Sequence, residues 1–192
     1  MSLETNKGTT VMRSLNEPEN RTPSTPRQLP PLPSRERVQE LLFEAARLGR
    51  DDMLPALLEA GADIEGVDAK GHTALILATY HGFEQSAALL LDRGADPNRT
   101  TASGSPLMGV AFKGHLTIAR RLLAAGADPN LRNAAGQTAI MMSALFDRRE
   151  VIELLLDAGA DIDAVDAAGN DAASLAQMQG NESLARWLAE RR

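Results

Sequence analysis

From Arg35 onward, apolar residues fall at helical spacing along this chain. In RERVQELLFEAARLG the residues Val38, Leu41, Leu42, Ala45 and Leu48 share one helix face. Shorter apolar clusters separated by polar breaks continue to the C-terminus. Residues 61–93, GADIEGVDAKGHTALILATYHGFEQSAALLLDR, show the pattern in full. Thr73 is placed to cap a short helix through Ala78 and Tyr80, and Gly82 supplies the left-handed residue that ends it. A second helix is predicted over Glu84 to Arg93, carrying Ala87, Ala88, Leu89, Leu90 and Leu91, with Gly94 as its stop. The polar connection GADIEGVDAKGH projects as a turn or hairpin, with Asp68 and Gly71 at tight-turn positions.

This unit recurs. GAD occurs at Gly61, Gly94, Gly126 and Gly159, at spacings of 33, 32 and 33 residues, and GADPN at both Gly94 and Gly126. Each recurrence ends one helix and launches the next turn; repetition alone carries no ligand chemistry. No predicted helix of such a unit is long enough to be stable in isolation, so each must cover its apolar face with its neighbours.

The openings TALI at Thr73, SPLM at Ser105, TAIM at Thr138 and DAAS at Asp171, together with the four GAD endings, resemble the ankyrin repeat, whose units open on T-P-L-H-x-A and close on G-A-D. The resemblance covers residues 35–192 and implies an all-α solenoid of five helix-turn-helix units with projecting hairpins. A first unit without a hairpin spans 35–60, internal units span 61–93, 94–125 and 126–158, and a closing unit spans 159–192. The chain departs from the family pattern in several places. Ile76, Met108, Met141 and Ser174 replace the family's His, which removes a bracing hydrogen bond and implies looser hairpins. The second internal unit lacks the residue between Gly104 and Ser105. Asp147 stands where an inter-helix Gly is expected, and Asp tolerates the left-handed conformation better than most non-glycine residues. Pro55 falls early in the first unit's outer helix, just past the positions where a missing N–H costs nothing.

Composition adds a second region. Residues 1–34 hold six of the ten prolines and few large apolar groups, so this arm is expected to be disordered. The sequence has no run of eighteen apolar residues and no secretory h-region at its start, which points to a cytoplasmic protein without membrane association. With no cysteine there is neither a disulfide framework nor a thiolate metal site. The balance of 20 basic and 26 acidic residues, net −6, argues against a nucleic-acid partner. Three of the basic residues are Lys and the rest Arg, in an Ala-rich chain, which fits a GC-rich bacterial genome.

No catalytic or cofactor motif stands out. DIDAVDAAGN, residues 161–170, superficially resembles a calcium loop, but Val165 occupies an oxygen-ligand position and no bidentate Glu closes it. His72, His81 and His115 do not form a metal-binding trio, and His115 is expected to cap an outer helix. There is no nucleophile elbow, phosphate loop or dinucleotide fingerprint. The reading is therefore non-enzymatic, with no metal and no cofactor.

A binding reading has positive support. In ankyrin arrays the hairpin tips and inner helices form a concave surface, on which the last residues of each inner helix are exposed. These are Tyr80 and His81, Phe112 and Lys113, Leu145 and Phe146, and Met178 and Gln179. Of six aromatic residues, three fall on this one row. The hairpin tips add Lys70, His72, Arg99, Arg132 and Gln137, a basic and polar rim, while RREVIE from Arg148 reads as a solvated helix face. Phe43, Phe83 and Trp187 are assigned to the core or caps. The expected function is a monomeric protein-binding module. An alternative is an adaptor or host-directed effector, because RQLPPLP (27–33) satisfies R-x-x-P-x-x-P and looks like a class I SH3 ligand through Arg27, Pro30 and Pro33.

Overall fold

The computed structural model describes residues 33–102 and 104–192. The expected Pro-rich arm up to residue 32, and with it all of RQLPPLP except Pro33, lies outside the described residues. Ten helices occupy the described part. The first members of successive pairs are α1 (Arg35–Leu48), α3 (Ala74–His81), α5 (Pro106–Lys113), α7 (Ala139–Leu145) and α9 (Ala172–Met178). Their partners are α2 (Leu54–Glu59), α4 (Glu84–Asp92), α6 (Leu116–Ala124), α8 (Arg149–Asp157) and α10 (Glu182–Ala189). The first members pack side by side in chain order, and α2, α4, α6 and α8 form a second layer behind them. Among the described residues the only β-type pairing is an isolated bridge between Thr101 and Gly104.

The inner helices α3, α5 and α7 are each flanked on two sides and backed by an outer partner, so they are apolar nearly all round. In α3, Ala74, Leu75, Leu77, Ala78 and Thr79 are all buried. The outer helices face solvent on one side and are amphipathic. They bury Ala87 and Leu90 in α4, Ile118, Ala119 and Leu122 in α6, Val151, Ile152 and Leu155 in α8, and Leu184 and Leu188 in α10. A buried Leu side chain contributes about 1.5–3 kcal/mol, and Leu90, Leu122, Leu155 and Leu188 repeat one fully buried position from unit to unit.

The helix ends follow the sequence signals, with three differences. Thr73, Ser105 and Asp171 cap α3, α5 and α9 through their side chains, but Thr138 makes no such bond and its hydroxyl is buried without a protein partner. Pro55 is the second residue of α2, inside the first turn, where N–H groups have no intrahelical acceptor; its missing donor therefore costs nothing, contrary to expectation. His115 precedes α6 without a side-chain cap bond. Instead its ring covers Gly82 of the preceding unit, where an added Cβ would sit 2.8 Å from it; Phe83 and Arg148 cover Gly49 and Gly114 in the same way. Arg148 also reaches back, its Nε donating to the Phe112 carbonyl at 3.4 Å. At the expected glycine position Asp147 adopts φ 52°, and α7 ends at Leu145, so Phe146 lies just beyond it.

The hairpins are tied more firmly than the missing family His implies. Asn98 Oδ1 accepts from Asp128 N at 2.8 Å while its Nδ2 donates to the Gly126 carbonyl at 2.9 Å. Asn130 repeats this clamp on Asp161 N and the Gly159 carbonyl, at 2.8 and 3.0 Å. One unit earlier Glu65, which has no donor, makes only the bond from Asp96 N, at 2.8 Å. At the N-terminal end, Gln39 of α1 clamps both the N–H and the carbonyl of Asp63. GADPN recurs because the Asn of one copy grips the Gly and Asp that open the next.

Within each hairpin a second device closes the turn. Asp68 Oδ1 accepts from the N–H groups of Lys70 and His72, both at 2.9 Å, and its Oδ2 from Arg47 at 3.0 Å. Asn133 and Asp166 repeat the two backbone bonds in their own hairpins. Burial pushes the Asp68 carboxyl up, but the His72 and Lys70 amides and the His72 and Arg47 side chains outweigh it and hold the group below the usual carboxylate range. The third unit lacks this arrangement. Its shorter connection closes by mutual backbone bonds between Thr101 and Gly104, each 3.0 Å, with Gly104 at φ 118°.

Two predictions follow from these bonds. Asn98→Ala removes two hydrogen bonds between hairpins and is expected to cost about 1–2 kcal/mol, lowering the thermal midpoint by about 2–6 °C in a circular dichroism melt. A carboxyl held below its unfolded pKa of about 3.9 stabilises the fold above that pH, and the contribution is lost as pH falls through the folded value. Asp68→Asn keeps the amide acceptor, as Asn133 does, without the ionised group. Wild type is therefore expected to melt above Asp68→Asn at pH 6, and the difference is expected to shrink as pH falls below about 3.9.

Candidate functional site

The C-terminal ends of the inner helices bring three rings into one row. Tyr80 closes α3, Phe112 closes α5, and Phe146 follows α7. Tyr80 and Phe112 stack with centroids 6.2 Å apart and planes inclined by 16°. Phe112 and Phe146 meet edge to face at 4.4 Å. Tyr80 and Phe146 stay 39% and 43% exposed, and Phe112 is half-buried between them. Lys113 Nζ lies 4.5 Å from the Tyr80 ring centroid and 5.5 Å from that of Phe112, in the range where a cation is attracted to a ring face. His81 is edge-on to Tyr80 at 5.5 Å and stacks on Phe83 at 6.2 Å. Partial burial, then Arg47 and Lys113, hold its imidazole below the usual histidine range.

Beside this row a groove of about 810 Å³ opens between the hairpins of the second and third units. Its floor is Leu77, Met108, Gly109, Phe112 and Met142; its walls are Asp68, Lys70 and His72 on one side and Thr101, Gly104 and Ser105 on the other. Two sequence features make the space. The hairpin of the third unit is one residue short, and Gly109 stands in α5 where the neighbouring inner helices carry Leu77 and Met142.

The other expected residues are placed as follows. Lys70 is exposed at the tip of its turn, and His72 is half-buried in the groove wall, its Nδ1 3.5 Å from Asp68 Oδ1. Arg99 is exposed on its connection but does not line the groove. Arg132 is exposed, and its Nη1 donates to the carbonyls of Val165 at 2.6 Å and Gly136 at 3.2 Å. Gln137 accepts from Asn133 Nδ2 at 3.1 Å and is half-buried. Leu145 packs against Met141, Ala164 and Leu175, while Met178 is 69% exposed at the far end of the row, beside exposed Gln179. Tyr80, His81, Phe112, Lys113 and Phe146 thus converge, with Lys70 and His72 across the groove. Sequence reasoning missed Gly109 and Arg47. A glycine in a helix interior, at a cost of about 1 kcal/mol relative to Ala, was the available signal for the first; Arg47 reads as an ordinary exposed residue of α1.

Among the described residues no cluster of His, Asp or Glu is suited to hold a metal ion, and no helix is long and apolar enough to cross a membrane.

A family model described as ankyrin repeats (3 copies) matches residues 25–101 and 107–192. An ankyrin repeat-containing protein of Treponema pallidum (strain Nichols) is 36% identical over 138 residues, which cover 71% of this chain and 46% of that protein. The E3 ubiquitin-protein ligase KEG of Arabidopsis thaliana is 29% identical over 157 residues, 74% of this chain and 10% of the ligase. Human oxysterol-binding protein-related protein 1 is 42% identical over 64 residues, 32% of this chain and 7% of that protein. The chain therefore spans less than half the length of these relatives. Helical pairs in register, the repeated GAD stops and the family match lead to one conclusion: the chain belongs to the ankyrin-repeat family and folds as an all-α ankyrin solenoid.

Proposed function

We propose that this protein is a non-enzymatic binding module that grips a partner protein on the concave face, along the row Tyr80, Phe112 and Phe146. The observation that carries the reading is two exposed aromatic rings, Tyr80 and Phe146, held in line by Phe112, with Lys113 over Tyr80 and Phe112. Ankyrin repeats are generally protein–protein interaction modules. Aligned exposed apolar groups mark interaction surfaces, and aromatic anchors dominate binding energy, at roughly 2 kcal/mol or more per hot-spot residue. Stacked helices hold these rings in place before binding, so little ordering entropy is lost on association. In this reading the protein works as a bacterial cytoplasmic monomer. The RQLPPLP segment would add a second binding element in the adaptor alternative.

The test is affinity capture from a lysate of the source organism, quantified by mass spectrometry. Tyr80→Ala/Phe146→Ala is expected to reduce recovery of the specific partner at least tenfold while shifting the thermal midpoint by no more than about 4 °C, since both rings are partly solvated. Unchanged recovery overturns the reading. Deleting residues 1–34 is expected to leave recovery unchanged; a loss there favours the adaptor alternative.

A further inference from the structure

The groove beside the aromatic row violates a local rule of the fold. An inner helix of this array is covered on both flanks and is built from large apolar residues at the Leu77 and Met142 position, yet α5 has Gly109 there. A helix-interior glycine is disfavoured by about 1 kcal/mol relative to Ala, and nothing steric requires it. An ideal Cβ on Gly109 would come no closer than 3.6 Å to Tyr80 Cδ2, an ordinary contact. Departures of this kind, in an otherwise consistent array, concentrate at functional sites. The absent side chain leaves an apolar floor open within a volume of about 810 Å³, in the range of sites that enclose a ligand's side chains.

The charge around this floor has one sign to spare. The whole chain is acidic, at net −6. The groove reverses that balance, its charged lining being Arg47, Lys70 and Asp68, with Lys113 adjoining over the Tyr80 ring. Asp68 is the one acidic residue among those described that lines it, and its oxygens are taken up by the Lys70 and His72 amides and by Arg47. An incoming carboxylate therefore meets cations without an unengaged anion to repel it, which favours an acidic partner over a neutral or basic one.

Resting on the concave-face reading above, we propose that this groove recognises an extended acidic peptide segment. An aromatic or large aliphatic side chain of the segment fills the space over Gly109, and Asp or Glu carboxylates on either side of it meet Lys70 and Lys113. The ridge of rings flanks the segment and supplies the rest of the contact.

The test is selection of a displayed random dodecapeptide library on the wild-type protein, with Gly109→Leu and Lys70→Glu/Lys113→Glu as counter-targets. Gly109→Leu fills the floor and replaces a poor helix former with a good one, so its melting temperature is expected to equal or exceed that of wild type. Enriched peptides are expected to carry Asp or Glu within two residues of an aromatic or aliphatic anchor. A synthetic copy of the leading peptide is expected to bind Gly109→Leu and the double Glu variant at least tenfold more weakly than wild type. Its affinity is expected to fall at least fivefold between 50 and 500 mM salt, through screening of the carboxylate contacts. Gly109-dependent peptides without acidic enrichment overturn the partner chemistry and leave the concave-face reading standing. Peptides that bind Gly109→Leu as well as wild type overturn the groove, and if they are also indifferent to Tyr80→Ala/Phe146→Ala both readings fall. A selection that enriches nothing over the naive library overturns the groove alone, while the lysate capture still decides the ridge.

Discussion

The helices of this protein are too short to exist by themselves. Those of the inner layer after α1 run seven or eight residues, against roughly twelve to fifteen needed for even marginal helicity in water. Every one of them is stable only because a neighbour covers its flank. That single constraint explains why the inner helices are apolar nearly all round and why the outer ones are amphipathic. It also decides where large side chains can reach solvent. A helix buried on both flanks and backed by its partner can present side chains to solvent mainly at its ends, and Tyr80, Phe112 and Phe146 occupy those ends.

Side-by-side packing of near-identical elements does not by itself fix their register. That task falls to hydrogen bonds from side chains of one unit to the backbone of the next. Gln39, Glu65, Asn98 and Asn130 each hold the connection that follows, and each does so at the base of the hairpin rather than at its tip. The tips are closed separately, by Asp68, Asn133 and Asp166. Because the two jobs are divided, the hairpin of the third unit can lose its tip closure and a residue without losing its place in the stack. The groove at Gly104 and Gly109 depends on that division, since it needs a shortened wall on a correctly spaced floor.

Most of the fold was legible in the sequence because its signals are local and repeated. Capping residues, left-handed glycines and the 33-residue period together gave the helices, and Asp147 was recognisable as an occupant of a glycine position. The row of rings was legible for the same reason, since register along a repeat transfers from unit to unit. What escaped were contacts between units. The clamp made by Asn98 depends on atoms of Gly126 and Asp128, some thirty residues away, and the covering of Gly82 by His115 depends on how two units dock. The bond from Arg132 Nη1 to the Val165 carbonyl escaped for the same reason, since only the stacked arrangement brings the two near. The groove was invisible for a different reason: it is made by what Gly109 lacks, and a reading that searches for chemistry-bearing side chains passes over an empty position.

The amide clamps of Asn98 and Asn130 have a consequence for variation. They take hold of peptide N–H and C=O groups, which every successor unit offers whatever its side chains. Interlocking of this sort is blind to side-chain identity in the unit it holds. Tyr80, Phe112 and Phe146 touch one another across units but take no part in these clamps, so replacing them leaves the hairpin-to-hairpin bonds intact. The scaffold thus keeps the cohesion of its hairpins separate from the ring contacts at the ends of its inner helices.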